Sequence, residues 1–197
     1  PEFWRNFREG TTPYGTKKES KYDSALPFLG SSRQFDHKTA LSPESRAAAE
    51  QFLKEQKDRM DGLRAALSYS KFRFPLAFTN GVDMLLPHLA EIKKDAQMFR
   101  IETLLAIEQG NTDAALKGMG NTARAANALA DEPILISQLV RIACCSMILD
   151  DAQRMLSRQP LSKGQLDQLD TMFDQIELTN ALRISLVGER AFGLNVF

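Results

Sequence analysis

The sequence predicts an all-α protein: antiparallel helical hairpins stacked against one another behind an irregular N-terminal arm. Three observations predict it. Beyond residue 42 the apolar side chains recur at three-, four- and seven-residue spacing, the period of one helix face. Residues that start and stop helices punctuate that pattern. Beyond the loop that follows the first pattern, connections of two to four residues force neighbouring helices to run antiparallel.

Residues 1–41 form the arm and residues 42–197 the helical domain. The arm holds Gly10, Pro13, Gly15, Pro27 and Gly30 without a sustained period, and one short helix is expected over residues 22–28. Its aromatics Phe3, Trp4, Phe7, Tyr14 and Phe28 argue for packing against the helices, because disordered segments are poor in such residues. Ser42-Pro43-Glu44 supplies an N-cap, a proline at the first helical position and an acid in the first turn. Ala49, Leu53, Met60, Leu63 and Leu67 follow, so a first helix is expected over residues 43–67. Phe72, Phe74 and Phe78 then anchor a loop that Pro75 and Asn80-Gly81 keep out of helix.

A second helix is expected over residues 83–109, with Leu85, Leu89, Ile92, Ala96 and Phe99 as its seam. Gly110-Asn111-Thr112-Asp113 stops it and caps a third, over residues 113–130, whose Ala114, Ala115, Gly118, Gly120, Ala123 and Ala126 permit close helix approach. Asp131-Glu132-Pro133 is read as the cap of a fourth helix, over residues 132–158, ended by Gln159-Pro160. Ser162 caps a fifth, to about residue 178, with Leu166, Leu169, Phe173 and Ile176 inward; a sixth covers residues 180–192. The ten residues from Ile107 to Leu116 resemble the turn of a tetratricopeptide repeat. The flanking helices are longer than that repeat's and its 34-residue period does not recur, so the expected arrangement is a bundle or a short, tetratricopeptide-like solenoid.

Composition narrows the function classes. The 197 residues carry 25 Lys+Arg and 25 Asp+Glu, and no basic run marks a nucleic-acid or membrane surface. Cys144 and Cys145 are adjacent in an apolar helical stretch and read as reduced core thiols. His37 and His88 are far apart, so neither a metal site nor a cofactor site is expected. Nothing matches a Ser-His-Asp set, a phosphate-cradling loop or a nucleotide fingerprint. The chain opens on Pro1 rather than Met and reads as a processed or partial chain.

The segment from Ile134 to Leu149 is apolar nearly all round, as a buried central helix would be, and is too short and polar to span a membrane. Its polar residues are therefore the ones to question. Ser137, Gln138 and Arg141 fall within about 100° on a helical wheel. A buried arginine needs a partner, and Glu102 and Glu189 are the candidates. One reading is a ligand pocket or catalytic cleft; the favoured one is an internal polar set that fixes helix register. Gly188-Glu189-Arg190 reads as a capping or packing element. Arg73, flanked by Phe72 and Phe74, is a candidate for stacking recognition, with a pinned loop slightly favoured. His88 reads as a partly exposed structural histidine.

Arg73-Phe74-Pro75, Leu85-Leu86-Pro87-His88-Leu89, the run from Asp131 to Ala143 and the closing Gly188-Glu189-Arg190 together resemble a group of uncharacterised helical proteins of environmental bacteria. Members often carry an N-terminal membrane anchor. The resemblance covers residues 70–192. It implies an all-helical fold, leaves open an extracytoplasmic, membrane-tethered location, and carries no activity. Two readings of function follow. The favoured one is a non-enzymatic helical scaffold with a protein partner or self-association, without nucleic acid and without insertion of this chain into a membrane. The alternative is a small-ligand or catalytic domain built on Ser137, Gln138 and Arg141 with a facing glutamate.

Overall fold

The computed structural model describes residues 37–176 and 178–194. The arm aromatics and the short helix expected over residues 22–28 lie outside the described residues. Within them the protein is helical and holds no strand. Helix α1 spans Pro43–Glu55, α2 Lys57–Ala66, α3 Pro87–Glu108, α4 Thr112–Asn127, α5 Leu135–Arg158, α6 Lys163–Asp174 and α7 Thr179–Leu194, with a 3-10 segment over Phe78–Asp83.

The starts follow local chemistry. Ser42 Oγ accepts the Ser45 amide at 3.1 Å, Asn111 Oδ1 accepts the Ala114 amide at 3.1 Å, and Ser162 with Gln165 forms a reciprocal capping box at α6. Gly110 carries φ +72°, the left-handed conformation that lets the chain turn from α3 into α4 without the steric penalty of a Cβ.

Several expected boundaries differ from those observed. The single helix over residues 43–67 is two helices that meet at Gln56, where φ is −97° and ψ 9°. The bend lets Ala49 bury against Ile101 and Leu104 while Met60 buries against Met98 and Phe99, all four on α3. Helix α3 begins at Pro87, not at residue 83, because the proline ring suits the first helical turn and disfavours helix at the residue before it. Leu85 therefore stays outside the helix and exposed. Helix α5 begins at Leu135, three residues later than expected: Glu132 pairs with His88 and the Pro133 carbonyl stands against Gly188 of α7. Leu166 points to solvent and Leu169 alone of α6 is fully buried.

The core runs along α3, α4 and α5, which pack as a three-helix unit, with Phe99, Ile107, Met119, Ile148 and Met155 sealed from solvent. Helices α1 and α2 cover α3, α6 leans on α4, and α7 lies along α5. The α3–α4 seam is tight because Gly118 offers no side chain there: a Cβ would stand 2.3 Å from Thr103 Oγ1 and 3.4 Å from the Thr103 Cα. Gly120 is different, since a Cβ there would meet only the Met172 methyl at 3.9 Å.

The contrast makes a stability prediction. Gly118→Ala should destabilise the protein by about 1–3 kcal/mol through overpacking. Gly120→Ala should stabilise it by about 0.5–1 kcal/mol by removing a flexible residue from a helix interior. Chemical denaturation of the two variants distinguishes these signs, and equal effects would show that the seam is not close-packed at Gly118.

Candidate functional site

The polar residues singled out on α5 lie on its inward face. Ser137, Gln138 and Arg141 are all buried. The Gln138 amide donates to the carbonyls of Leu129 and Glu132 at 2.8 and 2.9 Å, holding the α4–α5 connection from inside. Arg141 Nη2 donates to Asn127 Oδ1 at 2.9 Å, at the last residue of α4. Ser137 Oγ, Gln138 Oε1 and Arg141 Nε are enclosed without a hydrogen-bond partner among the described residues.

The two glutamates proposed as partners for Arg141 are elsewhere. Glu102 Oε1 takes Arg64 Nη2 of α2 at 2.6 Å, so the acid faces the outer layer. Glu189 Oε1 accepts the Leu135 amide at 2.8 Å. That bond caps the N-terminus of α5 with an acid from α7, where a negative charge meets the positive end of the helix dipole. The next residue back, Gly188, is where α7 touches the connection: a Cβ would stand 1.9 Å from the Pro133 carbonyl oxygen. Arg190 and Arg73 are exposed, Arg73 on a loop that Phe72 and Phe74 hold by half-burial. The seven candidates thus fall into separate places. Ser137, Gln138 and Arg141 share a face, and Glu189 reaches the start of the same helix from outside.

Two clusters escaped the sequence reading. His88 is more enclosed than expected, with 11% of its side chain exposed. Its Nε2 lies 2.9 Å from Glu132 Oε1, and its ring stacks on Phe74 at 4.4 Å and 17°. Glu132 is therefore a partner of the α3 start rather than a cap of α5. No local pattern signals a pair 44 residues apart. The second cluster surrounds Glu108, whose side chain is wholly buried. Arg154 Nη2 sits at 2.7 Å, Arg158 Nη2 at 3.2 Å and Arg46 Nη2 at 3.6 Å. Arg154 and Arg158 also donate to the carbonyls of Thr39 and Lys38, which ties the entry to α1 to the end of α5.

One turn back on α5, Arg100 Nε meets Asp151 Oδ1 at 3.1 Å and Arg100 Nη2 meets Asp150 Oδ2 at 3.2 Å. Burial pushes the Asp151 carboxyl up to about 7, against the pull of Arg100. Burial also drives the Cys144 thiol up to about 12 and raises Cys145, so both stay protonated and unreactive at neutral pH. Both are free thiols in the core. No cluster of three metal-ligating side chains exists among the described residues. No helix among them is long and apolar enough to cross a membrane.

The outward face of α5 corrects the expectation of a helix buried on every side. Ile136, Leu139, Leu149 and Leu156 are each about half exposed. Uniform apolar sequence conceals this, since only packing decides which side meets water. Beside the N-terminal half of that face lies a groove of about 430 Å³. Met84, Leu86, Ile136, Leu139 and Phe192 line it, with Glu189 the charged residue among the described lining. Phe192 is held by stacking on Phe78, 6.0 Å between ring centroids. Compared with known proteins, the chain matches no family model, no curated protein and no solved structure.

Asp151 supplies a pH prediction. Its folded value near 7 lies above the ordinary 3.8, so the folded chain holds a proton there that the unfolded chain releases between about pH 4 and 7. Its stabilising contribution is therefore full at low pH and lost as pH rises through 7. Asp151→Asn keeps the shape and removes the titration. Relative to that variant, the wild type should gain on the order of 2 kcal/mol of unfolding free energy between pH 8 and pH 5. Parallel pH profiles for the two proteins would contradict the assignment.

Proposed function

We propose that the chain is a non-catalytic helical interaction module that binds a protein partner through the outward face of α5 and the adjoining groove. The observation that carries this reading is that Ile136, Leu139, Leu149 and Leu156 are each about half exposed on the helix that also forms the core, with Ile136 and Leu139 beside the groove. Large exposed apolar patches on globular proteins mark interaction sites. The sheltered wall at Met84 and Phe192 gives a partner's apolar side chain a place to be enclosed. The inner polar residues support the same reading, because Gln138 and Arg141 direct their hydrogen bonds to the α4–α5 connection.

A second reading has its own support. Ser137 Oγ, Gln138 Oε1 and Arg141 Nε are buried polar atoms without a described partner on one helix face, and a small polar ligand would complete them. The groove lies on the opposite side of α5, so the two readings place their ligands apart.

The test is co-purification from the native host of wild type, Leu139→Glu and Arg141→Ala, with circular dichroism confirming helical content. The module reading expects a stoichiometric protein partner that is retained by Arg141→Ala and reduced at least about tenfold by Leu139→Glu. A bound small molecule, kept by Leu139→Glu and lost from Arg141→Ala, would overturn it in favour of the inner polar face.

A further inference from the structure

We infer that the extended chain over residues 71–77 is a docking strand, on which a partner protein lays an extended segment of alternating acidic and apolar residues. This goes beyond the α5 surface, since no residue of the segment lines the groove. Three observations carry it. First, exposure alternates strictly: Lys71, Arg73, Pro75 and Ala77 are exposed, and Phe72, Phe74 and Leu76 are half-buried. A two-residue period is that of a strand lying on a surface. Phe72 and Phe74 pack against the cluster of Leu89, Ile92 and Leu129, and Phe74 stacks on His88, so the inward side chains hold the backbone in place. Second, no backbone N–H or C=O of residues 71–76 is hydrogen-bonded among the described residues, by main chain or by side chain. An extended run with free amides is a template for a further strand. Third, Lys71 and Arg73 stand on the outward side with no acid paired to either among the described residues.

Pro75 decides the edge. Amides of successive residues in a strand point to opposite edges. Proline has no N–H, so the edge shared by Lys71, Arg73 and Pro75 is interrupted. The edge of Phe72, Phe74 and Leu76 is complete, and the partner strand pairs there. On that edge Phe72 and Phe74 take the hydrogen-bonded positions of an antiparallel ladder. Lys71 and Arg73 take the positions between, where facing side chains come closest. Side chains directly opposite one another share a face. Partner residues facing Lys71 and Arg73 therefore point outward, and those facing Phe72 and Phe74 point toward the helices. Acids opposite the cations and aliphatics opposite the aromatics satisfy both faces. A lone pair of strands gains little in water, but Phe72 and Phe74 are already fixed on the helices, so the ordering cost falls on the partner alone.

The test uses the 197-residue chain and a fluorescein-labelled peptide of alternating valine and glutamate, blocked at both ends and read by fluorescence polarisation. Wild type should bind it, with affinity falling as salt rises. Lys71→Glu combined with Arg73→Glu should weaken binding at least about tenfold with helicity unchanged, and a valine–lysine peptide should recover it on that variant. Methylating the valine amides, which face the protein, should abolish binding. Methylating the glutamate amides, which face away, should leave it within about twofold. Amide exchange at Phe72 and Phe74 should slow in the complex. Equal binding of a peptide with the same residues in two blocks, or equal loss from the two methylated forms, overturns strand pairing. A chain that binds no peptide, or that binds phosphatidylglycerol vesicles in its place, overturns the proposal outright.

Discussion

A carboxylate removed from water needs cations around it, and Glu108 gathers three. Arg46 comes from α1, Arg154 and Arg158 from α5, and Glu108 itself ends α3. A buried charge deprived of its partner costs several kcal/mol, which is more than any surface contact returns. The three elements therefore cannot slide or rotate independently at this end. The carbonyls of Lys38 and Thr39 are drawn into the same cluster, so the chain's entry into α1 is fixed by the same charges. At the opposite end of α5 the constraint is a set of hydrogen bonds: Glu189 of α7 caps the helix start, and Gln138 and Arg141 hold the turn that leads into it. Between these ends lies a core narrow enough for Gly118 to touch Thr103.

Fixing α5 at both ends and along its inner face leaves its outer face as the part free to do something else. The division is chemical as well as geometric. Ser137, Gln138, Arg141, Asp151 and Arg154 of α5 are buried against other elements, while Ile136, Leu139, Leu149 and Leu156 are half exposed. The half-exposed aliphatic side chains beside the groove are why this side of α5, rather than a polar cluster, carries the functional proposal.

Much of the fold was legible because helix starts are local. Ser42-Pro43, Gly110-Asn111 and Ser162 with Gln165 each satisfy or redirect backbone groups within four residues, so sequence alone places them. The late starts of α3 and α5 were less visible. Pro87 competes with an upstream aspartate for the role of helix start, and Asp131-Glu132-Pro133 looks like a cap although Glu132 is claimed by His88 from another helix. Pairings such as Glu102 with Arg64 and Arg141 with Asn127 depend on how helices rotate against one another, which a helical period does not contain. The exposed side of α5 was hidden for a related reason: side chains of equal hydropathy on opposite faces do not say which face is covered.

The central claim is that the buried ionic residues hold the helices in register. Replacing the Glu108 carboxylate tests it most directly. Glu108→Gln preserves size but removes the carboxylate that Arg46, Arg154 and Arg158 share, and equilibrium denaturation should show a loss of about 3–5 kcal/mol relative to wild type. A variant within about 0.5 kcal/mol of wild type would place the cluster among interactions that merely decorate the fold and would contradict the account.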